Sequence, residues 1–333
     1  MARVAINGLG RIGRATFKII EESPELELVA VNDLVPPDNL AYLLQYDSVY
    51  GRYEKKVTSS ENALHVDGRE IRVLSEKDPS NLPWKDMNVD LVFESTGLFT
   101  KQEEAEKHLH AGAKRVIISA PTKSAETMTV VHGVNQAPTD EKTIISCASC
   151  TTNSITPPVE ILSRRIGMKK AILTTVHAYT STQSLVDAPA KKFRRGRAAA
   201  QSIVPSTTGA AVATTKVLTP LEGRFDGMAL RVPVPVGSIS DINFVAERPT
   251  SVEEINNIFR EEAESGRYKG ILEVSEDEIV SSDIVQSPAA AIVDLNGTLV
   301  VDGDLVKIMS WYDNEWGYSS QMIREAKHML GLG

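Results

Sequence analysis

The chemistry of this chain concentrates in Ser149-Cys150-Thr151-Thr152-Asn153. A strand-like run, Thr143 to Ser146, precedes it, and a helical pattern from Ile155 towards Arg165 follows. Cys150 is therefore expected at a strand-to-helix turn, near the first free N–H groups of the helix. A helix N-terminus carries about half a positive charge and favours a thiolate. An unassisted thiol, with a pKa of about 8.5, is only a few per cent ionised at neutral pH. Lowering that value by about two units takes roughly 2.7 kcal/mol, more than a helix end usually contributes. A second group is needed, and His177 is the candidate. It ends the run Ile172-Leu173-Thr174-Thr175-Val176, at the rim of a sheet. Such a pair points to nucleophilic catalysis; the alternative is an inert buried thiol with a structural histidine.

The elements that position a second chemistry lie at the start of the chain. Ala2 to Asn7 reads as an apolar strand, then come Gly8-x-Gly10-x-x-Gly13 and a helix from about Arg11 to Glu22. A second strand, Leu28 to Asn32, ends at Asp33. An acidic residue about twenty positions beyond the last glycine completes the pattern of a dinucleotide-binding βαβ unit. The glycines let the backbone approach a pyrophosphate, met by the helix N-terminus. A carboxylate at Asp33 can accept both adenosine ribose hydroxyls and repels a 2′-phosphate by up to about 4 kcal/mol. NAD is favoured over NADP.

Further on, Asn39 to Gln45 reads as a helix, and Ala63 to Val66, Ile71 to Leu74 and Asp90 to Glu94 as strands. A small-residue turn, Ser95-Thr96-Gly97, precedes a helix from about Lys101 to Ala111 and the strand Arg115 to Ser119. This alternation predicts an α/β domain with a Rossmann-type doubly wound parallel sheet. Thr96, Gly97 and Ser119 fall at strand C-ends, where a cofactor lies. Beyond Cys150 the pattern changes: Ala171 to His177, Gly227 to Val232, Ser238 to Ala246 and Leu305 to Tyr312 are β-rich. Helices are expected at Gly209 to Val217, Val252 to Ser265 and Glu315 to Leu330. The second domain reads as α+β, a mixed or antiparallel sheet with helices on one face. A loop from Thr180 to Gln201 carries Lys191, Lys192, Arg194, Arg195 and Arg197, and loops of this length are commonly functional.

Bulk properties narrow the classes. The 333 residues suffice for two domains. A formal net charge of -8 argues against a general nucleic-acid binder. No apolar run approaches the roughly 20 residues of a membrane span, and the N-terminus enters a strand rather than a signal peptide. Cys147 and Cys150 are the only cysteines, too few for a secreted disulfide framework, so a cytoplasmic location is expected. They spell C-x-x-C, but Cys147 belongs to the strand end, unlike a thioredoxin-type motif that opens a helix. Nothing completes a zinc site, and no metal is expected.

Ala148-Ser149-Cys150-Thr151-Thr152-Asn153 resembles the catalytic segment of phosphorylating glyceraldehyde-3-phosphate dehydrogenases. So do, in order, Asn7-Gly8-Leu9-Gly10-Arg11-Ile12-Gly13-Arg14, His177-Ala178-Tyr179-Thr180, Ser206-Thr207-Thr208-Gly209-Ala210-Ala211, Leu230-Arg231-Val232-Pro233 and Trp311-Tyr312-Asp313-Asn314-Glu315-Trp316-Gly317-Tyr318. The resemblance covers essentially the whole chain. It implies an NAD-binding domain over 1–149, completed by the C-terminal helix 315–333, and a catalytic domain over 150–314 with the loop 180–201. It implies Cys150 as nucleophile and His177 as general base, acting through a hemithioacetal and a thioester that inorganic phosphate resolves. Gly8, Gly10, Arg11, Ile12, Gly13, Asp33, Thr96, Gly97, Ser119, Asn314 and Tyr318 would bind NAD. Thr180, Thr182, Arg197 and Arg231 would line the substrate-phosphate site, and Ser149, Thr151, Thr208, Gly209 and Arg231 the inorganic-phosphate site. A homotetramer is implied as well.

The chain departs from the family pattern at several positions. Cys147 stands where asparagine is commonest, Ser154 where many relatives carry a further cysteine, and Thr182 where some have aspartate. Pro189 fits NAD-type members, while Ala188 also occurs among NADP users. An erythrose-4-phosphate dehydrogenase shares this fold and most of these residues, and is the nearest alternative. A Cys/His acyl transferase or hydrolase would need no glycine turn with Asp33, and a non-enzymatic scaffold would need no activated thiol.

Overall fold

The computed structural model describes residues 1–332. By internal packing the chain divides into two compact units. One comprises Met1–Val130, Gln136–Ala148 and the residues from Met322 onward; the other comprises Val131–Asn135 and Ser149–Gln321.

The first unit opens with β1 (Ala2–Asn7), α1 (Arg11–Ile20), β2 (Leu26–Asn32) and α2 (Pro37–Gln45). A short ribbon follows, β3 (Tyr46–Asp47) with β4 (Gly51–Arg52), then β5 (Val57–Ser60), β6 (Ala63–Val66) and β7 (Arg69–Leu74). The unit continues with β8 (Leu91–Glu94), α3 (Gln102–His110), β9 (Val116–Ile118), β10 (Met128–Thr129) and β11 (Ile144–Ser146). Nine of these strands form one sheet, in the order β10-β11-β9-β8-β1-β2-β7-β6-β5. From β10 to β7 every pairing is parallel; β6 and β5 extend the edge antiparallel. The strand order reverses between β1 and β8, the switch point at which such sheets bind ligands beyond their C-terminal edges. Val4, Ala5 and Ile6 are fully buried, as a strand covered on both faces requires. In β8, Leu91, Val92 and Phe93 behave the same way, but the fourth buried residue is Glu94.

The second unit contains α4 (Cys150–Arg165), β12 (Met168–Ala178), β13 (Val204–Thr207), α5 (Ala210–Val217), β14 (Phe225–Val232), β15 (Ser238–Ala246) and α6 (Val252–Ala263). It closes with β16 (Leu272–Ser275), β17 (Ala291–Val301), β18 (Leu305–Tyr312) and α7 (Trp316–Met329), whose residues from Met322 count with the first unit. Its seven strands run β13-β14-β12-β15-β18-β17-β16. Only β12 with β14 and β16 with β17 are parallel, so the sheet is mixed. Alternation sorts the faces. Leu173, Ile242, Phe244 and Ile308 join Ile155, Val159 and Leu162 of α4 and Ile255 and Phe259 of α6 in the core. Ile172 on the other side is 61% exposed, and Leu299, Val301 and Leu305 are exposed too.

Strands β13, β16 and β17 have no clear signal in the sequence. Val204-Pro205-Ser206-Thr207 contains a proline, tolerated because β13 is an edge strand. In β17, Asn296-Gly297 interrupts the alternation, and the register with β18 shifts between Asp294 and Leu299 to absorb it. The loop 180–201 holds only a 3-10 turn, Phe193–Gly196.

Candidate active site

In the first unit, Asn7, Gly8, Gly10, Asn32, Asp33, Leu34, Glu76, Lys77, Ser95, Thr96, Leu98 and Phe99 line a cavity of about 510 Å³ at the switch point. Each glycine of the turn has a separate cause. Gly8 has φ +93°, and a Cβ there would meet Thr96. A Cβ on Gly13 would lie 2.0 Å from the Gly8 carbonyl, so the third glycine is a packing contact. Gly10 has extended backbone and no protein atom within 4 Å of where a Cβ would stand. Its bareness leaves the N-terminus of α1, which has no side-chain cap, open to an incoming anion. Asp33 is held rigid: its Oδ2 accepts from Leu9 N at 2.7 Å and its Oδ1 from Val35 N at 3.0 Å. A carboxylate fixed at the cavity wall suits ribose hydroxyls and opposes a phosphate, so the residues present fit NAD.

Arg11 does not line this cavity; it pairs with Asp47 at 2.5 Å and stacks on Tyr50. Ile12 stands in the first turn of α1. Gly97, at φ +71°, shapes the turn after β8. Ser119 follows β9, its N–H bonded to the Glu94 carbonyl at 2.9 Å. The sequence reading missed the asparagines Asn7 and Asn32, which carry no motif of their own, together with Leu34, Lys77 and Phe99.

In the second unit, the helix begins at Cys150 itself. Ser149 is its N-cap, the hydroxyl accepting from Thr152 N at 3.1 Å. Ala148, just before, has φ +54°, a left-handed conformation that a non-glycine residue adopts only under constraint. Cys150 Sγ lies 3.4 Å from His177 Nε2 at the end of β12. His177 is 3% exposed. Its Nδ1 is 2.7 Å from the Ala178 carbonyl and 2.7 Å from Arg231 Nη1, which also donates to that carbonyl at 2.9 Å. Donation from Nδ1 to the carbonyl leaves Nε2 bare towards sulfur, as a general base requires. Accepting from Arg231 instead places the proton on Nε2, facing the sulfur.

The electrostatics correct the expectation of a low thiol pKa. Burial pushes the Cys150 thiol above its ordinary value, outweighing Arg231 and the hydrogen bonds around the helix start, which lower it. Burial, reinforced by Arg231, pushes His177 down to about 3. The protein without ligands thus holds a neutral thiol against a neutral imidazole.

Other expected residues divide. Thr151 turns its hydroxyl inward to Tyr312 Oη at 2.9 Å, and Thr175 holds the same hydroxyl at 2.8 Å, tying α4 to the sheet. The Thr151 backbone N–H and hydroxyl also meet the Cys150 sulfur and lower its pKa. Thr180 and Thr182 share a hydrogen bond of 2.9 Å. Thr208 Oγ1 accepts from Ala210 N at 3.2 Å, and Gly209 caps α5. Arg197 departs from expectation: it is 65% exposed at the side chain and paired with Asp187 at 2.9 Å. Arg195 instead is close enough to bear electrostatically on Arg231, held by Ser206 at 3.2 Å. The loop offers several equivalent-looking cations, and spacing alone did not rank them. Asn314 Oδ1 accepts from Gly237 N at 3.2 Å and Ser238 Oγ at 3.1 Å, leaving its Nδ2 as the donor. Tyr318 is buried in the first turn of α7.

A dinucleotide turn with a fixed acidic residue, in one chain with a thiol–imidazole pair backed by arginine, defines an NAD-dependent oxidoreductase acting on aldehydes. Residues 2–102 match the model of the glyceraldehyde 3-phosphate dehydrogenase NAD binding domain, and residues 149–314 that of its C-terminal domain. Proteins named glyceraldehyde-3-phosphate dehydrogenase are similar throughout. That of Thermotoga maritima is 53% identical over 100% of both chains, and that of Geobacillus stearothermophilus 49% over 99% of both. That of Streptomyces coelicolor is 49% identical over 96% of both. The chain belongs to the glyceraldehyde-3-phosphate dehydrogenase family.

Proposed function

We propose that this chain oxidises D-glyceraldehyde 3-phosphate with NAD and inorganic phosphate to 1,3-bisphosphoglycerate, the step shared by glycolysis and gluconeogenesis. The observation that carries the reading is Cys150 Sγ at 3.4 Å from His177 Nε2 with Arg231 fastened to the far side of the same ring. Cys150 adds to the aldehyde carbon, and His177 Nε2 accepts the hydroxyl proton of the hemithioacetal. NAD, when bound, supplies the acceptor for the hydride that leaves that carbon. The product on the enzyme is a thioester at Cys150, a good acyl donor to an oxygen nucleophile. Arg231, with the Gly209 cap of α5, is suited to hold phosphate for that attack. Arg195 is better placed than Arg197 to share the substrate's own phosphate with Arg231, beside Thr180 and Thr182.

In the first unit the cavity around Asp33 would take the adenosine half of NAD. Asn314 Nδ2 is the donor suited to the carboxamide, and Tyr318 packs in the same chain segment. The N-terminal domain is read as 1–149 with helix 315–333, and the catalytic domain as 150–314. The exposed sheet face of Ile172, Leu299, Val301 and Leu305 favours self-association, and we read the assembly as a homotetramer. Cys147 and Cys150 stand outside any disulfide, which suits the cytoplasm. Among the described residues, no helix is long and apolar enough to cross a membrane.

Initial rates of NADH formation at 340 nm test the activity, with and without phosphate. Phosphate-dependent turnover is expected, weaker with NADP. Turnover that ignores phosphate, or that prefers erythrose 4-phosphate, would refute the reading. Light scattering at about four times the chain mass of 36.3 kDa is expected; a monomer would refute the tetramer.

A further inference from the structure

Glu94 is 1% exposed at the end of β8, yet no lysine or arginine faces it among its hydrogen-bond partners. A buried carboxylate usually has a cation or a complete set of donors, and here the donors are neutral. Its Oε2 accepts from Asn7 Nδ2 at 2.6 Å and meets His108 Nε2 at 3.0 Å. Its Oε1 accepts from Thr96 N at 2.8 Å and from the Thr96 hydroxyl.

The protonation pattern follows from chemistry. Trp84 Nε1 can only donate, and it lies 3.0 Å from His108 Nδ1. Nδ1 is therefore bare, the ring proton is on Nε2, and it points at Glu94. The carboxylate also orients Asn7, whose Oδ1 must then accept from Asn32 Nδ2, at 2.7 Å. Asn32 in turn donates to the Glu76 carbonyl at 2.9 Å and accepts from Glu76 N at 2.8 Å. These residues stand at the C-terminal ends of β8, β1 and β2 and just beyond β7, four neighbouring strands in spatial order. On the other side the Thr96 hydroxyl accepts from Leu98 N at 3.0 Å. Asn7, Asn32, Glu76, Thr96 and Leu98 all line the cavity.

We propose that Glu94 is a positioning residue for nucleotide binding: it sets the direction of a hydrogen-bonded belt across four strand ends that holds the cavity in its binding shape, with Trp84–His108 as the rear anchor. The proposal rests on the reading that this cavity takes the adenosine half of NAD. Glutamine in place of Glu94 has nearly the same shape but presents an NH₂ group to donors on whichever side it faces. His108 cannot relieve the clash by shifting its proton, because Trp84 holds Nδ1. With the NH₂ towards His108, Asn7 must turn over and the reversal passes to Asn32 and Glu76. With it towards Thr96, it opposes the Thr96 N–H and the Thr96 hydroxyl must turn, loosening the belt at its other end.

The test is NAD binding by calorimetry, with steady-state kinetics, on Glu94→Gln, His108→Leu, His108→Gln and Asp33→Ala. Glu94→Gln is expected to weaken NAD about tenfold or more, the scale of leaving buried donors unpaired. At saturating NAD, kcat and the KM for the aldehyde should hold, a split that general loss of structure would not produce. Should Glu94→Gln not fold, the histidine pair decides, since His108 lies outside the cavity. Leucine should weaken NAD, while glutamine, able to donate to Glu94 and accept from Trp84, should restore it. Unchanged affinity in Glu94→Gln or His108→Leu, with Asp33→Ala weakened, would overturn the positioning role alone. Unchanged affinity in Asp33→Ala would overturn the cavity assignment beneath it.

Discussion

Two buried histidines sit at strand or helix ends in the two units, and they differ in what their nitrogens meet. His108 is wholly buried, with Trp84 donating to one nitrogen and Glu94 accepting from the other. His177 is nearly as buried, but its Nε2 meets only the Cys150 sulfur at 3.4 Å, and a guanidinium presses on its far side. Burial alone therefore does not make a histidine reactive. A ring with both nitrogens satisfied is a strut. A ring with one side turned to a polarizable nucleophile, and no carboxylate to hold a second proton, is poised to exchange one.

The sharpest way to break this comparison is to remove the nucleophile. Cys150→Ser should lower phosphate-dependent NADH formation on the order of 10⁴-fold or more, since serine cannot form the thioester. Retained turnover would end the covalent mechanism. His177→Asn should cost about 10²- to 10⁴-fold in kcat, the usual worth of a positioned general base. His108→Gln should leave kcat at saturating NAD within a few-fold. Equal losses at the two positions would erase the distinction.

A third measurement reads the electrostatics. Because burial raises the Cys150 pKa, iodoacetamide labelling of the free protein should climb with pH and reach its midpoint above the ordinary thiol range. His177, pushed down to about 3, should add no inflection between pH 5 and 8. Arg231→Leu removes a cation that lowers the thiol pKa, so the midpoint should move further alkaline. A shift towards acid would contradict the account. The smallest effects separate the two loop arginines. Arg195→Ala should raise the aldehyde KM roughly 10- to 100-fold, the scale of a charged hydrogen bond. Arg197→Ala breaks an exposed pair worth at most about 1 kcal/mol and should leave that KM alone. The reverse order would restore Arg197 to the phosphate site.

Much of the first unit was legible in the chain because its signals are local. A strand, three glycines, a helix and an acidic residue recur at spacings that backbone geometry imposes within about thirty residues. The start of α4 was legible for the same reason: Ser149 is a capping residue, and Cys150 follows it. The second sheet was harder, because β13 hides a proline on an edge and β17 absorbs Asn296-Gly297 as a bulge, both tolerated through pairing with distant strands.

By itself the sequence determined the kind of chemistry, a thiol at a helix start and a dinucleotide turn, because side-chain type and short-range spacing decide those. Tertiary structure decided the state and company of each group. Arg231, 54 residues from His177 along the chain, reaches its ring only because β12 and β14 pair in register. The thiol pKa rose where a helix dipole alone would lower it, since desolvation depends on everything packed around the sulfur. Glu94, an unremarked acid at the end of an apolar strand, became the hinge of a hydrogen-bonded belt because its donors come from β1, α3 and its own turn. Local spacing cannot encode those meetings; the long-range packing of the sheet creates them.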